Sequence, residues 1–184
     1  MVRLFVSLTV LSFAGACIVP APSGNAPGAQ GPSPARKAAV AASPPMDIRN
    51  GANLGDKVQI DRVLAMPGRF LPGESVKMAV FFKALDAIPV DYTIFVHIED
   101  AERGERVGQV DHAPPKPTSE WKKDEIVRDE FAVYIPPNVN PKAVNVLLGL
   151  WDPKTDQRLI LRNGDTVRSD GNNRILIAQI PLAQ

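Results

Sequence analysis

Short runs of alternating apolar and polar residues, broken by Pro and Gly, fill the chain from about Leu54 onward. Ser75–Leu85 is the clearest: Val76, Met78, Val80 and Phe82 fall on one side, Lys77 and Lys83 on the other, the period-two pattern of a half-buried strand. Ile126–Ile135 alternates likewise, with Phe131, Val133 and Ile135 inward. Lys57–Met66 reads as a first strand with Val58 and Ile60 on one face, and Arg106–Val110 as a short one. Tyr92–Glu99 and Val144–Trp151 are apolar on both faces, as central strands are. Gln157–Leu161 and Arg174–Leu182 complete a set of about eight. Pro67-Gly68, Pro72-Gly73, Asn163-Gly164 and Asp170-Gly171 mark turns, and Asp152-Pro153-Lys154-Thr155-Asp156 marks a hairpin. No segment holds a 3.6-residue period over three turns. The expected fold is all-β, an antiparallel β-sandwich of jelly-roll or immunoglobulin-like kind spanning 51–184.

The pattern before residue 51 is different. Met1–Arg3 is a short basic start, Leu4–Phe13 is mostly apolar, and Ala14-Gly15-Ala16 precedes Cys17. An apolar run of about ten is too short to span a bilayer and fits a signal peptide over 1–16. Ala14-Gly15-Ala16 suits the general small-residue cleavage site. With Cys17 it also resembles a bacterial lipobox, with Ala14 where Leu is usual. The chain has one cysteine, and it stands where lipidation requires it. The expectation is therefore a lipoprotein anchored by acyl chains (palmitate) on Cys17, each buried CH₂ contributing roughly 0.8 kcal/mol. Ile18, by resemblance to Gram-negative lipoproteins lacking Asp at that position, implies sorting to the outer membrane, facing the periplasm or the cell surface. A plain secreted protein with a free Cys17 is the alternative.

Residues 18–50 hold seven Pro, eight Ala, three Gly and three Ser, with no apolar periodicity. Together with Cys17 this stretch, 17–50, reads as a disordered tether. Extended as polyproline, it reaches about 100 Å.

Charge adds exclusions. Four of the 21 basic and one of the 20 acidic residues fall in the first fifty, leaving 17 and 19 in the remainder. No basic patch marks a nucleic-acid binder. Two histidines, His97 and His112, with no Cys beside them make no zinc site, and the turn aspartates match no calcium-loop spacing. No metal or cofactor is expected.

Candidate binding residues are His97, Asp111, Trp121, Trp151, Asp152 and Arg158. Aromatic faces stack on sugar C–H groups, while carboxylates and amides bind hydroxyls. Trp151 with Asp152 and Arg158 nearby suits that role; a core position is the competing reading for either Trp. His97, sharing a face with Thr93, Phe95 and Glu99, is either a ligand contact or a structural imidazole. Asp111-His112 with Ser119 could make an acid/base and nucleophile set, but no Gly-x-Ser-x-Gly elbow exists. Asp111 equally suits a turn cap or a polar pair.

Several pieces, in order, resemble a recurrent bacterial β-sandwich found behind the membrane part of some dolichyl-phosphate-mannose-type glycosyltransferases and in exported proteins. They are Pro72-Gly73-Glu74; Ala84-Leu85; Pro89-Val90-Asp91-Tyr92-Thr93-Ile94-Phe95-Val96-His97-Ile98; Gln109-Val110-Asp111; Pro117-Thr118-Ser119-Glu120-Trp121; Asp124-Glu125, where the family has Gly-Glu; Pro136-Pro137; and Leu148 to Leu159. The resemblance implies a sandwich fold, and carbohydrate-binding modules look similar; it implies no activity. The expectation is a non-enzymatic envelope lipoprotein binding a glycan or a cell-envelope partner. The alternatives are a structural subunit of a motility, secretion or export machine, and a glycan-active enzyme.

Overall fold

The computed structural model describes residues 46–183. The expected signal peptide, Cys17 and the expected tether up to Pro45 lie outside them. Nine strands form two antiparallel sheets. One has the order β1 (Met46–Leu54), β2 (Val58–Ala65), β3 (Ser75–Ala84), β6 (Ile126–Tyr134). The other has the order β5 (Arg106–Gln109), β4 (Thr93–Asp100), β7 (Ala143–Asp152), with β8 (Gln157–Arg158) and β9 (Ile175–Pro181) both pairing β7. Apart from β1 and the short β8, the orders β2-β3-β6 and β5-β4-β7-β9 are the A-B-E and C′-C-F-G connectivity of the immunoglobulin sandwich, which excludes the jelly roll.

The core is where alternation places it. Val58, Ile60, Val76, Val80, Phe82, Val133, Ile94, Val96, Val146, Leu148 and Ile177 are all buried in one cluster between the sheets. Trp121 joins them, 3% exposed, its ring 5.8 Å from that of Phe82 and its Nε1–H donated to the Lys116 carbonyl at 2.9 Å. This corrects its candidacy as a binding residue: Trp121 is core. The outer face of the β2-β3-β6 sheet instead carries a shallow apolar groove lined by Leu64, Met66, Ala79 and Ala132.

Residues 46–50 correct the tether's boundary. They read as the last part of a disordered linker but form the first half of β1, with Met46 opposite Ala65 and Arg49 opposite Arg62. The hydrophobic signal is weak because β1 is an edge strand, and its fully buried side chains, Ala52 and Leu54, come only after the bulge at Arg49–Ala52. The β8 region is shorter than expected. After Leu159 the chain leaves β7 and bonds to the end of β1, Gly55 donating to the Ile160 carbonyl at 2.7 Å and Arg162 to that of Asn53 at 2.8 Å.

The motifs that carry the family resemblance fasten the loops. Thr118, fully buried, accepts from the Tyr92 amide at 2.8 Å and donates to the Val90 carbonyl at 2.7 Å. The Ser119 amide donates to Asp91 Oδ1 at 3.0 Å. Ser119, in the turn between β5 and β6, is thus fastened to the loop before β4 and not to Asp111 or His112. Asp124 has φ +66°, the left-handed region that glycine enters most easily.

One inward position of β6 is an acid. Asp129, between Val127 and Phe131, is 3% exposed and accepts from His112 Nε2 at 2.9 Å. His112 extends the β5 side of the other sheet, exchanging backbone bonds with Ile94 at 2.9 Å. The pair therefore ties the two sheets together. His112 Nδ1 faces the Val110 carbonyl at 3.3 Å, so both ring nitrogens meet acceptors and the imidazolium satisfies both. The hydrogen bond that His112 donates to Asp129 raises its pKa above the ordinary value, against the pull of burial. A raised folded-state pKa gives stability that is full below the unfolded value near 6.5 and lost as pH rises through the folded value. We expect the urea midpoint to fall over that alkaline-going window and to flatten in His112→Gln. Asp129→Ala should cost roughly 3 kcal/mol, the low end for a broken buried pair because the imidazole keeps some exposure.

Candidate functional site

Strands β4 and β7 are buried on both faces, so the outer face of their sheet is covered by something other than the core. Phe95, His97 and Glu99 alternate outward from β4. Phe95 lies opposite Gly149 of β7, and His97 opposite both Leu147 of β7 and Gln109 of β5. A Cβ at Gly149 would fall 2.7 Å from Phe95 Cε1 and 2.9 Å from the Asn173 carbonyl oxygen. The missing side chain is the space into which the ring sinks, beneath the segment that carries Asn173.

The segment after β8 folds back over this face. Asp170, in a turn with Gly171 at φ +81°, accepts from the amides of Asn172 at 2.9 Å and Arg174 at 3.2 Å. Arg174 donates Nε–H to Asp170 at 2.6 Å and Nη1–H to Glu99, so its charge is clamped between two carboxylates. Hydrogen bonds from Asn172 and Arg174 hold the Asp170 carboxyl below its usual range although burial opposes this.

Between this segment, β5 and the β7–β8 hairpin lies a polar cleft of about 660 Å³. Four of the six candidate binding residues line it: His97, Asp111, Trp151 and Arg158. Arg158 is opposite Trp151 in the β7–β8 pair, its guanidinium 4.8 Å above the Phe95 ring and donating to the Asn172 carbonyl at 3.0 Å. His97, 6% exposed, receives two guanidinium groups on Nδ1, from Arg106 at 3.1 Å and Arg174 at 3.2 Å. Donors on Nδ1 require it to be the acceptor, so the imidazole is neutral with its proton on Nε2. Burial, then the charges of Arg106 and Arg174, lower the His97 pKa in keeping with that. The surroundings of the two histidines thus push in opposite directions, His97 toward the neutral form and His112 toward the protonated one. Asp111 is exposed, and its Oδ1 lies 3.3 Å from the Val96 amide, which donates to it.

Asp152 is a correction. Its carboxylate accepts from the Lys154 amide at 2.8 Å and the Thr155 hydroxyl at 3.0 Å, closing the β7–β8 turn outside the cleft. An Asx-type turn in Asp-Pro-Lys-Thr uses the side chain locally. Sequence reading missed Arg106, Gln109 and Asn172 as cleft residues. Gly149 in mid-strand was the available signal, since such a glycine marks a close approach. Among the described residues, no group of three His, Cys, Asp or Glu side chains could hold a metal ion.

The chain matches no protein family and no curated protein. Among solved structures it is similar to a Niemann-Pick type C2 protein from Japanese carpenter ant at 8% identity and TM-score 0.38, covering 62% of this chain and 92% of that one. At that level nothing of ligand or activity transfers.

Gly149→Ala should cost roughly 1–3 kcal/mol in urea unfolding, the usual range for overpacking. In Phe95→Leu, where the ring no longer fills the space, the same substitution should cost measurably less.

Proposed function

We propose that the chain is a non-enzymatic binding module of the bacterial envelope, held at the outer membrane through lipid on Cys17, that takes a glycan in the cleft over β4 and β7. One observation carries the reading: His97 and Asp111 line one polar cleft with Trp151 and Arg158, which lie forty and more residues further along the chain. A cleft with an aromatic side chain, guanidinium donors and carboxylate acceptors matches the surface of a sugar, which offers C–H faces and hydroxyls together. Trp151, half-buried, contributes the indole to the lining of the cleft.

On an array of neutral and acidic oligosaccharides the protein should bind a restricted set. Trp151→Ala should weaken that binding about tenfold or more, corresponding to about 1.4 kcal/mol. Trp121→Ala should leave affinity unchanged in whatever fraction folds, while costing roughly 3–5 kcal/mol of stability. An empty array would sink the glycan reading and turn attention to a partner protein on the groove at Met66 and Ala132. For the anchor, cells fed labelled palmitate should label the wild-type chain and not Cys17→Ser. A soluble, unlabelled wild type would make the protein an ordinary secreted one.

A further inference from the structure

The donors and acceptors of the cleft are not mixed evenly. Three arginines touch Phe95, His97 or Glu99, and they differ. Arg174 is neutralised by Glu99 and Asp170. Arg106 and Arg158 touch no carboxylate among the described residues. Arg106 gives one N–H to Gln109 Oε1 at 3.2 Å and one to His97 Nδ1 at 3.1 Å. Arg158 gives one to a backbone carbonyl and rests on Phe95. Each keeps most of its N–H groups and its whole charge, and both are exposed.

These two arginines also occupy a particular place. A second concavity runs on toward Glu99 and Gly104, and Arg106, Arg158 and Asn172 line both it and the main cleft. The unneutralised charges therefore stand at the seam of a longer groove. The acids divide to either side. Asp111 and Asp156 line only the end that holds Trp151. Glu99, at the other end, is already paired. His97 adds no positive charge but offers Nε2–H as a donor, since Nδ1 is occupied by the guanidinium groups.

From this division we infer that the ligand is an acidic sugar, a uronic acid unit within an oligosaccharide; the inference rests on the glycan reading above. Its carboxylate lies between Arg106 and Arg158 at the seam. Its hydroxyls donate to Asp111 and Asp156 toward the Trp151 end. A guanidinium fork matches a carboxylate in two parallel hydrogen bonds, and two such forks unpaired within a face whose third is paired are positioned for an incoming anion. A bare oxyanion would use the arginines and leave the acids facing it without donors. A neutral sugar would leave both guanidinium groups without a counter-charge. The uronate answers both ends of the groove.

The test is titration of the full-length protein, in mild detergent, with galacturonate, glucuronate and mannuronate oligosaccharides, each beside its methyl ester, and with inorganic phosphate. The ester keeps the shape and removes the charge. We expect at least one acid to bind tenfold or more tighter than its ester, with affinity falling as salt rises. Arg106→Gln and Arg158→Gln should each bring the acid down toward the ester, Arg158→Gln with the melting temperature near wild type and Arg106→Gln with Arg174 still bound to His97 Nδ1. Arg158→Lys should recover part of the loss, by charge without the fork. Equal binding of acid and ester would overturn the uronate inference and leave the glycan reading intact. Phosphate binding as tightly as the best oligosaccharide would overturn the sugar part of it. No binding by any acid or ester would overturn the inference, while neutral binders on the array would show that the glycan reading survives it.

Discussion

Strand β4 is covered on both faces, and that condition shapes the rest of the molecule. Inward it contributes Ile94, Val96 and Ile98 to the core. Outward it presents Phe95, His97 and Glu99, each at most 9% exposed. A buried histidine and carboxylate need partners, because an unpaired polar group away from water costs several kcal/mol. Arg174, from the segment that folds over this face, and Arg106, from the neighbouring strand β5, supply them. The polar cleft is the space left where that covering stops short of β5 and the β7–β8 hairpin. Site and fold are in this sense one arrangement: the groups that line the cleft on its inner side are those that make burial of the outer face tolerable.

The two histidines show how far environment decides chemistry. Both lie close to β5, fifteen residues apart in sequence. His112 meets a carboxylate and a carbonyl between the sheets, partners that favour its protonated form. His97 meets two guanidinium groups and is held neutral on the outside. Neither outcome follows from residue type, and a spacing pattern cannot distinguish them. The adjacent pair Asp111-His112 illustrates the same limit: neighbours in sequence, they point to opposite sides of the sheet, Asp111 to the cleft and His112 to Asp129.

Much of the fold was legible because its strands alternate cleanly. Eight of the nine were readable, β3 and β6 from period-two patterning and β4 and β7 from runs apolar on both faces, although β8 ends at Arg158 and not at Leu161. The ninth, β1, was hidden because an edge strand with few buried side chains carries little apolar signal, and its start lies next to Pro44-Pro45. The site was legible in part. His97, Asp111, Trp151 and Arg158 stood out as residue types, and the sheet registers brought them together. Trp121 and Asp152 stood out equally and serve the core and a turn. Arg106, Gln109 and Asn172 were silent, since an arginine, a glutamine and an asparagine in polar stretches look like any solvated surface. The family-like motifs at Pro89–Ile98 and Pro117–Trp121 prove to be two halves of one clasp closed by Thr118.

The hollow at Gly149 has one more consequence. Antiparallel strands can slide past one another in steps of two without turning a side chain to the wrong face. Along β7, the neighbours of Gly149 two residues away are Leu147 and Trp151. A slip in either direction would drive the Phe95 ring onto one of those bulky side chains and leave the hollow empty. The central pairing of the sheet thus behaves like a lock with one keyhole. The same glycine that seats the floor of the cleft checks that β4 and β7 have met in the right alignment.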